Sequence, residues 1–331
     1  MLSVTLGNRL ISRRKFATSI ICFLLLSTTA CSQGQKASSN ANAATQTPVL
    51  RVGYAGLTSA PIGPFGWAKQ KGILEREGLK EIRLAKFANG PDLNEALVAG
   101  QLDIGIYGDT PAIVLRARGI KTRLIRVNQY NVNAWLITKK NGGSSLAELK
   151  GQKVATQKGS YMHRYLLGLL EQTGIAKDIK VVHLSTREAE AALERGDIAA
   201  YAAPSELGVY LKSKGYPAID EALKHPGLAG TSVIVATEEF LDKQPEFTQK
   251  LNQILAESVK DIQNNPQNYY EFHSKITGYP LDIVKASYPP NQWSELAFPP
   301  EALQLLEGTK KFLITQSLAK SDFQLNDWKV E

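Results

Sequence analysis

Five short segments of this chain combine small residues with hydroxyl side chains, several just ahead of a helical pattern: Thr58-Ser59, Gly108-Asp109-Thr110-Pro111, Lys158-Gly159-Ser160, Pro204-Ser205 and Thr231-Ser232. These types and spacings suit the holding of an anion without a formal positive charge. The first N–H groups of a helix have no intrahelical acceptor, and neighbouring Ser or Thr hydroxyls add further donors. Any one segment reads equally well as a helix cap. All five fall beside apolar runs of strand type, and ligands of open α/β sheets bind outside the carboxyl ends of the strands.

Individual residues carry two readings each. Ser160, beside Gly159 at the start of a helix, is the leading donor to an anion. Lys158 either lends it charge or is a solvated strand-end cation, and His163 lies one turn into the same helix. Asp109 is either an N-cap or an acid facing the cleft, and in the second case it calls for a ligand that also carries an amine. Trp135, Tyr161 and Tyr201, with Tyr107, either wall a cleft or fill a core.

Signals for catalysis are weak. The chain has no G-x-x-x-x-G-K, G-x-S-x-G or G-x-G-x-x-G motif. His163, His183, His225 and His273 show no metal-ligand spacing, and both cysteines, Cys22 and Cys31, lie in the first 31 residues. The expectation is therefore no catalytic residue, no metal and no cofactor. Of the formal net charge of +8, four positives (Arg9, Arg13, Arg14, Lys15) sit in the first 31 residues with no acid beside them, leaving +4. That balance is mild and spread along helices, which argues against a nucleic-acid partner.

The elements that must position these loops alternate. Strand candidates at Leu50–Tyr54, Ile82–Lys86, Asp103–Tyr107, Lys153–Thr156 and Ile198–Tyr201 are separated by helical patterns, the form of βαβ units and a mostly parallel sheet. Pro91 and Gly100 bracket one helix, Ser160 caps another, and Ser185-Thr186-Arg187-Glu188 reads as a capping box for a third. After about Thr237 the pattern becomes helical alone, with Phe247, Leu251, Ile254, Leu255, Val259 and Ile262 on one face. A helical tail packed back on the first lobe is expected. The 282 residues from Leu50 onward exceed one ordinary core, so two lobes are expected.

Residues 1–31 read as an export signal: a basic start, an apolar run from Ile20 to Leu26, and Thr28-Thr29-Ala30-Cys31. Ser12-Arg13-Arg14-Lys15-Phe16 fits a twin-arginine signal, with general secretion as the alternative. Cys31 is the expected lipidation site. Residues 32–49 are polar and small, a flexible tether with a reach of about 25 Å.

The segments LRVGYAGLTSAP, NEALVAGQLDIGIYGDTPAI, LKGQKVATQKGSYMHRYLLGLLEQTGI and REAEAALERGDIAAYAAPS resemble the substrate-binding proteins of aliphatic sulfonate, taurine and nitrate ABC importers. That resemblance covers roughly residues 50–265. It implies an α/β, two-lobed periplasmic-binding-protein fold (type 2), each lobe a mostly parallel sheet flanked by helices. Lobe one would be 50–135 plus 236–331 and lobe two 136–235, with crossovers near Ala134–Thr138 and Val233–Thr237. It further implies a monomeric, non-enzymatic solute-binding lipoprotein in the periplasm, anchored to the outer face of the cytoplasmic membrane. Such a protein would deliver a small organic anion to an ABC permease and its ATPase. A sulfonate is the first expectation. Nitrate, bicarbonate, a pyrimidine precursor of thiamine, or a sensing role without transport are the alternatives.

Overall fold

The structure, a computed structural model, describes residues 49–55, 61 and 63–330. The expected signal, nearly all of the tether, Cys31, and the candidate pair Thr58 and Ser59 lie outside the described residues.

Two five-stranded sheets organise the body. The first contains β1 (Leu50–Ala55), β2 (Ile82–Phe87), β3 (Ile104–Gly108), β4 (Thr122–Val132) and β10 (Gly230–Thr237), in the order β2-β1-β3-β10-β4. The second contains β5 (Ala134–Thr138), β6 (Lys153–Thr156), β7 (Lys180–His183), β8 (Ala200–Pro204) and β9 (Ala218–Glu221), in the order β7-β6-β8-β5-β9. In each sheet four strands share one direction and one runs against them: β10 in the first, β5 in the second. The reversed strand is each time the one the chain forms immediately after passing from the other sheet. The two sheets thus repeat one topology.

The inner strands β3, β10, β8 and β5 are covered on both faces and are apolar almost throughout. Along β10, Val233 and Val235 enter one core with Leu93, Leu97 and Leu306, while Ile234 and Ala236 enter the opposite one with Val52, Ile104 and Leu251. In the second sheet Leu136, Val154 and Ala202 face the helix Tyr161–Gln172, and Ile137, Ala155 and Tyr201 face Leu193 and Leu211. Alternation of side chains along a strand sorts these residues to their faces.

The passages between lobes differ from expectation. Ala134–Thr138 pairs in full with β8, from Ala134 opposite Pro204 to Thr138 opposite Ala200. Ser232–Ala236 pairs with β3, from Gly108 to Ile104. Sheet membership therefore places the first passage at Asn133 and the return between Glu221 and Gly230, because apolar residues at the expected crossovers are drawn into the sheets.

The C-terminal helices also divide differently. Phe247–Asn264 lays Leu251, Ile254 and Leu255 on the first sheet, and Pro300–Thr315 does the same with Leu306 and Leu313. The intervening helices Pro266–Thr277 and Leu281–Ser287 reach the helix Ser205–Ser213 of the second lobe. There Tyr279 packs edge-on against Tyr210 at 5.6 Å and Ser205 Oγ donates to Ser287 O at 3.3 Å. The tail thus packs on both lobes.

Candidate functional site

A cleft of about 810 Å³, measured to its open mouth, lies between the sheets. Four helices start at its wall. Asn89 caps Gly90–Val98 and Gly108 precedes Asp109–Ala117, both from the first lobe; Ser160 caps Tyr161–Gln172 and Pro204 precedes Ser205–Ser213, both from the second. Each helix follows a strand at its carboxyl end, and each has 9 or 12 residues. Their positive dipole ends and first-turn amides therefore converge from both lobes. Thr231 and Ser232, at the start of β10, complete the wall.

Among the described residues no Lys, Arg or His lines the cleft, and Glu206 is the one charged residue that does. Any anion held here is held by amides, hydroxyls and helix ends.

Ser160 is fixed at both ends. Its Oγ accepts from the His163 amide at 3.3 Å and donates to Gln157 O at 2.6 Å. Ser is suited to this because its short hydroxyl satisfies one of the orphan amides. Gly159 adopts φ +79°, and a Cβ there would stand 3.1 Å from Pro91 Cγ in the other lobe. A larger residue would strain the turn and press on the facing wall. Gln157 Nε2 donates to Ala88 O at 2.9 Å, so the lobes touch beside the cleft.

Tyr161 binds both connections. Its hydroxyl donates to Asn133 O at 3.2 Å in the first passage and accepts from the Ser205 amide at 3.4 Å; its ring lies against Gly230. Burial raises its pKa, so the phenol stays protonated at neutral pH.

Of the residues expected at the site, Tyr107, Gly108, Pro111, Gly159, Ser160, Tyr161, Pro204, Thr231 and Ser232 line the cleft together. The others do not. Asp109 is fully buried: its Oδ1 accepts from the Thr110 amide at 2.5 Å, and Oδ2 from the Thr231 amide and hydroxyl at 3.1 and 2.9 Å. Neither the cap nor the amine-facing reading describes it. Gly108 is the cap residue of that helix, and Asp109 ties it to β10. Thr110 is buried against Asp109. Lys158 stands off the cleft, its amide donating to His183 Nδ1 at 3.2 Å. His163 accepts from the Gly159 amide at Nδ1, 3.4 Å; burial, with Lys158 and His183 nearby, lowers its pKa to about 4, so the ring is neutral. Trp135 packs against Gly208 with Lys212 Nζ 3.6 Å over its ring, Tyr201 donates to Leu184 O inside the core, and Ser205 is buried toward Ser287. Long-range packing, invisible in local spacing, claims these side chains.

The cleft also takes residues the sequence reading passed over. Asn89 and Gly90 follow the same rule as the other loops, a helix start at a strand end, and Pro91 marked it. Thr186 lay inside the supposed capping box; the helix Ala189–Arg195 begins where that reading put it, but its cap residue is Glu188 without a side-chain cap bond, and Ser185 Oγ donates to Glu188 Oε2. Gln129 comes from the middle of β4 and carries no local signal. Glu206 sits one residue past Ser205.

The NMT1/THI5-like family model matches residues 60–269. The chain belongs to the NMT1/THI5-like family. Among its relatives, an aliphatic sulfonates-binding protein of Escherichia coli (strain K12) is 36% identical over 157 residues, 46% of this chain and 48% of that protein. This chain thus aligns with about half the length of that curated relative. Among solved structures, the alkanesulfonate-binding protein SsuA from Xanthomonas axonopodis pv. citri bound to MOPS superposes with a TM-score of 0.72 at 22% identity, over 86% of this chain and 99% of that one. The desulfurization enzyme DSZB does so at 0.68 and 17%, over 85% and 96%. A binding protein and an enzyme therefore share this family member's two-lobed fold, and the fold alone does not choose between them.

Proposed function

We propose that this protein is an extracytoplasmic solute-binding protein that captures a small organic anion, an aliphatic sulfonate, between its lobes and presents it to an ABC permease. The observation that carries this reading is the convergence of four helix starts, two from each lobe, on a cleft with no cationic side chain among the described residues. Such a wall favours negative charge at every helix end. An anion bridging both sets of amides stabilises the closed arrangement, the hinge logic of two-lobed binding proteins. The named sulfonate-binding relative supports the ligand class. Lipid attachment through Cys31 belongs to the same proposal and rests on the apolar run that precedes it.

The enzymatic alternative finds less support. Ser160 Oγ is occupied as a cap, and Nδ1 of the nearby His163 is occupied by the Gly159 amide. A nucleophile needs a free base within hydrogen-bond reach.

A thermal-shift screen against alkanesulfonates, nitrate, bicarbonate and aminopyrimidines tests the proposal. A ligand at 100 times its Kd adds roughly 2.7 kcal/mol. Stabilisation by sulfonates supports the reading; stabilisation only by another class of ligand replaces it.

A further inference from the structure

Because the two sheets repeat one topology, their ends away from the cleft can be compared bond for bond. In the first lobe the Asp103 amide donates to Arg51 O at 2.9 Å and the Thr237 amide to Asp103 O at 3.2 Å. In the second, the Ala199 amide donates to Lys153 O at 2.9 Å and the Lys139 amide to Ala199 O at 3.3 Å. Lys153 therefore stands where Arg51 stands, Ala199 where Asp103 stands, and Lys139 where Thr237 stands. Each sheet also sets a second cation beside the first, for Arg83 lies opposite Arg51 and Lys180 opposite Lys153.

The two poles differ in the acid. Asp103 pairs with Arg51 at 2.6 Å, but Ala199 gives the second lobe no such carboxylate. Like charges on facing strand positions repel. The chain adds Lys140, Lys150 and Lys177 around them, and all six lysines are exposed. Lys150 meets Asp178 at 3.5 Å, and Lys140 rests 4.7 Å over the Tyr216 ring. Among the described residues Lys139, Lys153, Lys177 and Lys180 form no ion pair. Lysine on an edge strand ordinarily guards against strand pairing. That reason covers Lys180 on the edge strand β7, but β6 and β5 lie inside the sheet, so it does not reach Lys153 or Lys139.

We infer that this pole of the second lobe is a docking face for anionic phospholipid headgroups, by which the lobe rests on a membrane surface. The face spans β7, β6, β8 and β5, roughly 15 Å at the usual strand spacing. Lysine is a compact point charge without the planar fork of arginine, which suits many loosely placed phosphates better than one phosphate held bidentately. Each lysine near such a surface is worth about a fivefold gain in affinity. An acyl anchor at Cys31, proposed above, would hold the body within reach. The docking face lies at the other end of the sheet from the cleft, and it stands or falls apart from the ligand proposed there.

The test uses residues 32–331, which contain both sheets and every core residue described, so that no acyl chain contributes. Co-sedimentation with vesicles of about one-third phosphatidylglycerol in phosphatidylcholine is compared with phosphatidylcholine alone. The proposal expects binding to the anionic vesicles only, weakening steeply with added salt. Combining Lys139→Gln, Lys153→Gln and Lys180→Gln should weaken it by about a hundredfold. Lys139→Gln alone, expected to lose about fivefold, serves if the triple variant does not fold. Removing the same charge from the first lobe, with Lys80→Gln, Lys86→Gln and Lys121→Gln, should change binding by less than about threefold. Absence of binding to the anionic vesicles, or an equal loss in both triple variants, overturns the proposal. Release by inorganic phosphate beyond that by chloride of equal ionic strength overturns it in favour of a discrete phosphate site. Tighter binding of duplex DNA than of vesicles at equal phosphate concentration overturns it in favour of a nucleic-acid partner.

Discussion

Arg164 Nη2 lies 3.7 Å from Asp109 Oδ2, with both side chains buried, and the pair fastens the segment by which the chain returns from the second lobe to the first. Arg164 donates to Gly227 O at 2.9 Å and to Ala229 O at 2.6 Å; Asp109 accepts from Thr231. Gly227 and Ala229 of the return passage and Thr231 at the start of β10 are thus held from opposite lobes by one ion pair. Burial lowers the pKa of the guanidinium, and Asp109 works against that shift.

Removing one partner strands the other. Asp109→Ala is expected to cost about 3 to 5 kcal/mol in urea unfolding, because Arg164 then carries a buried charge without its counter-ion. The double variant Asp109→Ala, Arg164→Met should recover part of that loss. Strict additivity of the two single effects would show that the groups do not interact across the hinge.

Ser160 separates capping from anion binding. Ser160→Ala should lower stability by about 1 kcal/mol through the lost bond to the His163 amide. Ser160→Asp should restore the cap and the stability, since Asp caps as well as Ser, while placing a negative charge at the cleft wall. We expect anion affinity to fall by about tenfold or more in Ser160→Asp despite its native-like unfolding. Unchanged affinity would move the anion away from this helix.

His163 gives the fold an acid-side weakness. In the unfolded chain the ring protonates near its ordinary 6.5, in the fold near 4. Between those values the unfolded state binds more protons, so stability falls as pH drops from 6.5 towards 4 and is insensitive to this ring above 6.5. His163→Gln keeps an acceptor for the Gly159 amide but has no such titration. Thermal unfolding of both proteins from pH 4 to 8 should show a shallower acid-side decline in the variant; parallel curves would exclude the ring as a source.

Cys31→Ser probes the membrane assignment. Fractionation of cells should find the variant released or unprocessed, whereas a protein still membrane-bound and of wild-type size would retire the lipid anchor.

How much of this was legible beforehand depends on range. The strand candidates Leu50–Tyr54, Ile82–Lys86 and Lys153–Thr156 carry enough apolar and β-branched residues to be read locally, and β1, β2 and β6 stand there. β7 and β9, four residues each and half-buried, offer no such pattern, and β4 is bulged against β10. The cleft loops were readable because a helix start with Gly, Ser or Asn at a strand end is a local feature. Asp109 was not, since its partners Thr231 and Arg164 lie 122 and 55 residues away in sequence. Glu206 was passed over for the same reason: its partner His273 is 67 residues distant.

The central claim is that the cleft recognises negative charge with helix ends rather than with side-chain cations. Its most direct measurement is a calorimetric comparison of 2-aminoethanesulfonate with 2-aminoethanesulfonamide, which keeps the shape and the amine but removes the charge of the acid group. The account predicts that the sulfonate binds more tightly by about a hundredfold, roughly 2.8 kcal/mol. Equal affinity for the two, or tighter binding of the sulfonamide, would contradict it.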